Sequence, residues 1–120
     1  MKMRITHISD THNKHNQIGR MPGGDLLIHS GDISSIGRES EVKRFVKWFN
    51  DINNYTNKIF IAGNHDMTFD REILLRDKLA HFEGRTEYDT ECANGKPQWL
   101  IDMLEDLDRD TFYLENSAIE

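Results

Sequence analysis

The residues able to do chemistry stand in three short clusters. Asp10-Thr11-His12, Gly31-Asp32 and Gly63-Asn64-His65-Asp66 supply carboxylates, imidazoles and an amide, the side chains that take divalent cations. Asp10 and His12 are two apart, so in an extended segment both point the same way and can grip one ion together. Asp32 has two carboxylate oxygens with which to bridge two ions, and the amide oxygen of Asn64 is a neutral, hard ligand for the second. Two ions about 3.5–4 Å apart can make a hydroxide from water and clamp a phosphoryl oxygen. His65, adjacent to a ligand but not needed as one, is then placed to donate a proton to a leaving group. Manganese, iron, zinc and nickel suit mixed oxygen and imidazole ligation better than the metals that prefer thiolate.

Each cluster follows an apolar, β-rich run: Arg4-Ile5-Thr6-His7-Ile8-Ser9, Leu26-Leu27-Ile28-His29-Ser30 and Lys58-Ile59-Phe60-Ile61-Ala62. Buried strands that deliver polar side chains at their carboxyl ends are how open α/β sheets build sites. The spacing predicts strands near residues 3–9, 25–30 and 58–62. Between the last two, Val42, Phe45, Val46, Phe49 and Ile52 form one apolar stripe of a helix over about 38–53, with Ser40 as its expected cap. Strand, helix and strand then alternate as a parallel sheet requires. Further on, Asp70 to Leu79 reads as a short helix and Phe82 to Pro97 as a polar surface excursion. Trp99, Leu100, Met103, Leu104 and Leu107 restore helical spacing. Thr111 to Leu114 reads as a fourth strand, and Asn116 to Glu120 as a turn entering a fifth.

Length and charge limit the alternatives. The 120 residues suffice for one domain with a modest core, and a net charge of -6 argues against broad charge-driven nucleic-acid binding, leaving nucleic acid only as a substrate. No apolar run approaches a membrane span, and the amino terminus enters a strand without a signal-peptide pattern, so a cytoplasmic address is expected. The single Cys92 cannot form an intrachain disulfide and reads as an incidental thiol. Capping and turn roles would account for each polar residue taken singly, but not for three clusters in this order. His15 reads as a solvated loop histidine rather than half of a zinc pair with His12. His7 and His29, inside strands, read as hydrogen-bonded core histidines. Asp66 either orients His65 or caps the next helix.

The ordered trio Asp10-Thr11-His12, Gly31-Asp32 and Gly63-Asn64-His65-Asp66 resembles the first three motifs of the calcineurin-like metallophosphoesterases. The run Ile61-Ala62-Gly63-Asn64-His65-Asp66 looks closest to the small class III phosphodiesterases of that family, with the likeness strongest over residues 3–66. The resemblance implies an α/β fold, a metallophosphoesterase-like sheet with flanking helices that forms the first half of a four-layer α/β/β/α sandwich. It also implies a dinuclear divalent-metal site that hydrolyses a phosphodiester or phosphomonoester. Carried over by position, Asp10 and His12 hold the first metal, Asp32 bridges, Asn64 holds the second, and His65, with Asp66 beside it, serves catalysis.

Two departures shape this expectation. The family's protein phosphatases have Asp-Arg after the second motif where Ser35-Ile36 stands here, which argues against a phosphoprotein substrate. Family members also add a lone histidine and a Gly-His-x-His motif from later strands, whereas only His81 follows His65 in this sequence. The expectation is therefore a single domain over 1–120, apparently shortened at its carboxyl end. Its sheet edge would invite a second copy or a complementary C-terminal half. The alternative function is a non-catalytic half-domain that serves as a binding partner.

Overall fold

The computed structural model describes residues 2–69 and 97–115. Four strands, β1 (Ile5–Ile8), β2 (Gly24–His29), β3 (Tyr55–Phe60) and β4 (Thr111–Tyr113), form one sheet in the order β1-β2-β3-β4. Every neighbouring pair is parallel. Helix α1 (Glu39–Asp51) joins β2 to β3, and α2 (Gln98–Glu105) precedes β4. This is the expected α/β class, a parallel sheet with flanking helices. The predicted helix over 70–79, the excursion over 82–96, the strand after Asn116, His81 and Cys92 lie outside the described residues. Among the described residues no helix is long and apolar enough to cross a membrane.

Register puts Leu27 beside Lys58 and His29 beside Phe60, so these side chains share one sheet face. The apolar stripe of α1 covers that face. Val42, Phe45, Val46 and Phe49 are buried with Leu27, Phe60 and Leu100. Phe45 stacks on Phe49 at 5.2 Å between centroids, and both meet Phe60 edge-on at 5.6 Å. Each such ring contributes about 1.5–3 kcal/mol by leaving water. On the opposite face Ile5 and His7 are exposed, while Leu26, Ile28, Ile59 and Phe112 are half-buried.

The ends of α1 differ from expectation in an informative way. Ser40 does not cap it; the helix begins at Glu39, two residues before a Ser40 cap would start it, and Arg38 is the flanking residue. Glu41 takes over, its Oε1 accepting the Arg38 N–H at 3.2 Å and its Oε2 the Ser35 N–H at 2.9 Å. A carboxylate in the first turn also suits the helix dipole. At the other end, the buried Lys58 reaches back from β3 and donates to the carbonyls of Phe49, Asn50 and Ile52. Those of Asn50 and Ile52 are carbonyls that a helix terminus otherwise leaves unpaired, while that of Phe49 also accepts the Ile52 N–H at 3.3 Å.

Candidate metal centre

The three clusters follow the carboxyl ends of β1, β2 and β3, side by side in the sheet. Three backbone hydrogen bonds extend the β1–β2 pairing beyond the strands: Asp10 N to Gly31 O at 2.9 Å, His12 N to Asp32 O at 3.0 Å and Asn13 N to Ile33 O at 2.9 Å. The segment is not extended, contrary to the expectation from the spacing of Asp10 and His12. Asp10, His12, Asn13 and Asp32 have φ of 55°, 42°, 66° and 58°, the left-handed region that side chains other than glycine rarely enter. Backbone held there by surrounding hydrogen bonds is characteristic of functional sites. The outcome is still a pair, with Asp10 Oδ1 lying 3.7 Å from His12 Nε2.

Glycines let the second and third clusters meet. A Cβ on Gly31, whose φ is +113°, would come within 2.9 Å of the Gly63 Cα, and a Cβ on Gly63 would overlap the amide and carboxylate of Asp32. The loops therefore touch backbone to backbone, and the His65 N–H donates to Asp32 Oδ1 at 2.9 Å. Ligand atoms of His12, Asp32 and His65 lie within 4.8 Å of one another. Two atoms bound to the same zinc-like ion are at most about 4.2 Å apart, so a small contraction would bring the three onto one cation.

The Asn64 amide lies against Asp32, its NH₂ donating to both carboxylate oxygens at 3.1 and 3.2 Å. Turned over, the same amide would present its oxygen to a cation held by Asp32. The Asp10 carboxyl is held below the ordinary range, first by a hydrogen bond from Ser9. Partial desolvation works against this, and a hydrogen bond with Asp32 and the charges of His12 and His29 add to it. An ionised carboxylate, the imidazole of His12, a second carboxylate and an amide oxygen form a donor set suited to divalent manganese, iron, zinc or nickel.

Asp66 is buried and has a task of its own. Its Oδ1 accepts the Ser34 N–H at 2.9 Å and the Ser34 hydroxyl at 2.5 Å, and its Oδ2 accepts the Ile33 N–H at 3.1 Å and the Gly63 N–H at 2.9 Å. These bonds tie the loop after β2 to the loop after β3 and thus set the distance between Asp32 and Asn64. The His65 ring takes a different partner, with its Nδ1 2.9 Å from the Ser35 carbonyl oxygen. The Asp66 side chain neither orients that ring through a direct bond nor caps the following turn.

The remaining histidines divide. His29 is buried as expected, its Nδ1 accepting the Gly31 N–H at 3.2 Å and its Nε2 donating to Thr11 Oγ1 at 2.9 Å. Burial is the main cause that lowers its pKa to about 4. His7 is exposed, with Nε2 2.8 Å from Ser30 Oγ, because β1 turns that residue away from α1. His15 is not a solvated loop residue. It is fully buried against Phe45 and Trp48, at 5.8 and 5.0 Å between ring centroids, and burial lowers its pKa. Phe45 on the α1 stripe, with the half-buried Trp48 beside it, is the sequence sign that an aromatic-sized residue would be covered there.

A fold of parallel strands with this constellation at their carboxyl ends belongs to a known class. The family model for calcineurin-like phosphoesterases matches residues 3–117, and the chain belongs to that family. Over 71 residues it is 48% identical to metallophosphoesterase domain-containing protein 1 of Homo sapiens, a match covering 59% of this chain and 21% of that protein. It is 43% identical over 81 residues to a UPF0046 protein of Caenorhabditis elegans, covering 66% of this chain and 28% of the other. The chain thus spans under a third of the length of these relatives. Family membership supports hydrolase character and divalent-metal binding.

Proposed function

We propose that this chain carries the metal-binding and proton-donating groups of a phosphoesterase that hydrolyses a small phosphodiester or phosphomonoester. The observation that supports this most is the convergence of Asp10, His12, Asp32, Asn64 and His65 beyond three adjacent strand ends. Two bound divalent ions would supply hydroxide at neutral pH and neutralise charge on the phosphoryl oxygens. Asp10 and His12 would hold the first ion, Asp32 would serve both, and Asn64 would hold the second. His65 in its doubly protonated form would donate the Nε2 proton to the leaving oxygen and be left as the Nδ1–H tautomer, since the Ser35 carbonyl can only accept and therefore keeps Nδ1 protonated. Asp66 keeps the Asp32 and Asn64 loops in register. Ser35 and Ile36 offer no guanidinium to a phosphate oxygen, which favours small esters over phosphoproteins. A cytoplasmic setting is part of the same reading.

The second reading, a half-domain without catalysis that pairs with another polypeptide, is favoured by one observation. Among the described residues, the assignment leaves only Asp32 and Asn64 to hold the second ion. Titration with manganese or zinc, read beside hydrolysis of an aryl phosphodiester, separates the two. Metal-dependent turnover lost in Asp32→Asn supports the enzyme. Metal binding with no turnover on any ester, including after addition of a complementary C-terminal polypeptide, supports the half-domain.

A further inference from the structure

Glu41 is buried, lies on α1 and touches none of the groups proposed to bind metal, yet its carboxylate is occupied entirely by the loop between β2 and α1. Oε2 accepts the Ser35 N–H at 2.9 Å, while Oε1 accepts the Arg38 N–H at 3.2 Å and, at a longer 3.4 Å, the Ile36 N–H. The Ile36 N–H belongs to the same peptide unit as the Ser35 carbonyl, and that carbonyl is the partner of His65 Nδ1 at 2.9 Å. One peptide group therefore has a carboxylate on its donor side and an imidazole on its acceptor side. A negative charge behind the N–H polarises the carbonyl and strengthens it as an acceptor. The amides on either side are pinned by the same carboxylate, so the carbonyl cannot swing away.

The consequence falls on the tautomer of His65. A free neutral imidazole favours the proton on Nε2, whereas a carbonyl at Nδ1 demands it there, so that the doubly protonated ring gives up its Nε2 proton and is left as the Nδ1–H tautomer. We infer that Glu41 is a positioning residue for His65. It acts through the Ser35–Ile36 peptide to hold the ring in one orientation and in the Nδ1–H tautomer. The catalytic consequence rests on the phosphoesterase reading above; the structural link does not. A role confined to starting α1 is the competing account, since a carboxylate in this position also caps the helix.

The test uses the full 120-residue chain without metal. Imidazole nitrogen shifts of His65 are recorded by NMR at about pH 8, above the ordinary imidazole range. The chain should show a protonated Nδ1 and an unprotonated Nε2. Glu41→Ala should move the proton predominantly to Nε2, and Glu41→Gln, which keeps one acceptor oxygen, should give a mixed population. Lys58→Met weakens the other end of α1 and should leave the tautomer unchanged. An unaltered Nδ1–H tautomer in folded Glu41→Ala overturns the inference, as does an unaltered one in Glu41→Gln should the alanine variant not fold. In turnover, Glu41→Ala should lower kcat/KM for alkyl esters about tenfold more than for nitrophenyl esters, which hardly need a proton donor. Combining it with His65→Ala should add no further loss. An equal loss on both ester classes would assign Glu41 to helix capping alone. Absence of turnover on every ester would count against the phosphoesterase reading and leave the tautomer result to decide the link.

Discussion

Gly31 and Gly63 stand back to back, the first with φ +113°, and a Cβ on either would strike the other loop. Their contact is what brings Asp32 and Asn64 together, because any side chain between the loops would push the carboxylate and the amide apart. Gly63→Ala must therefore displace Asp32 or move the whole loop. Overpacking of this kind costs about 1–3 kcal/mol. We expect a lower denaturation midpoint together with loss of metal binding, measured by urea unfolding and by calorimetric titration. A variant that binds metal normally would show that the loops have slack.

Asp32 and His65 are adjacent in space but are assigned different work. Asp32→Asn removes the charge shared by both ions and should abolish binding of each. His65→Ala removes a proton donor and should leave metal stoichiometry intact while lowering turnover by about 10²–10⁴. Equilibrium dialysis with metal analysis checks the first outcome and steady-state kinetics the second. Metal lost from the His65 variant would make the ring a ligand, in keeping with its closeness to His12 and Asp32.

Much of this arrangement was legible in the sequence, for physical reasons that differ by residue. The stripe from Val42 to Phe49 announces a helix because burial on one face needs that period, and the apolar runs announce strands because parallel strands are covered on both sides. β3 is placed late, at 58–62, by the apolar run alone. It begins at Tyr55, whose hydroxyl donates to Thr6 Oγ1 at 2.8 Å and accepts the Gly23 N–H at 3.1 Å, partners remote in sequence. It ends at Phe60, where the chain turns to release Asn64 toward the site. The sequence shows Glu41 in the first turn of a helix and Asp66 beside His65, but not the loops that each one ties down. Both act on backbone amides, and an amide leaves no mark in the sequence to say which carboxylate will reach it. The left-handed backbone at Asp10 and His12 was hidden likewise, since aspartate and histidine occur in many conformations.

His29 makes the fold sensitive to acid. Its folded pKa, lowered to about 4 chiefly by burial, lies below the ordinary value of 6.5. The unfolded chain therefore binds the proton first as pH falls. The contribution to stability is complete above about 6.5, declines through the window down to about 4, and amounts to about 3 kcal/mol at most. Unfolding midpoints measured across that window should fall with pH in the native chain. The fall should be shallower in His29→Gln, and equal slopes would locate the acid sensitivity elsewhere.

Lys58 offers a contrast, a buried cation with no part in the site. Its ammonium is held by three carbonyls at the end of α1, and Asp108, Asp51 and Asp110 oppose the lowering of its pKa by burial. Lys58→Met keeps the apolar stem and abandons those carbonyls. The cost should be about 1.5–3 kcal/mol in unfolding free energy, the range for hydrogen bonds to charged groups. Metal affinity should not change, and a change would mean that the α1 terminus communicates with the strand ends.

The last prediction concerns how many ions the chain holds by itself. Asp10, His12 and Asp32 give the first ion three protein contacts. Among the described residues the second has Asp32, already shared, and Asn64, whose amide oxygen is a weak donor. The 120-residue chain should therefore bind one ion measurably and the second poorly, and its turnover of aryl phosphate esters should be low. The outer edges of β1 and β4 have no strand partner among the described residues, so the sheet can be extended there by a second copy or by a complementary polypeptide. Adding a polypeptide that carries later strands of the family with a Gly-His-x-His motif should raise metal stoichiometry to two and turnover with it. Calorimetric titration with and without that polypeptide, beside light scattering for the oligomeric state, gives the answer. Tight binding of two ions by a monomeric chain would instead require a completing ligand within this sequence. His81 would be the first candidate, because His15 is enclosed between Phe45 and Trp48.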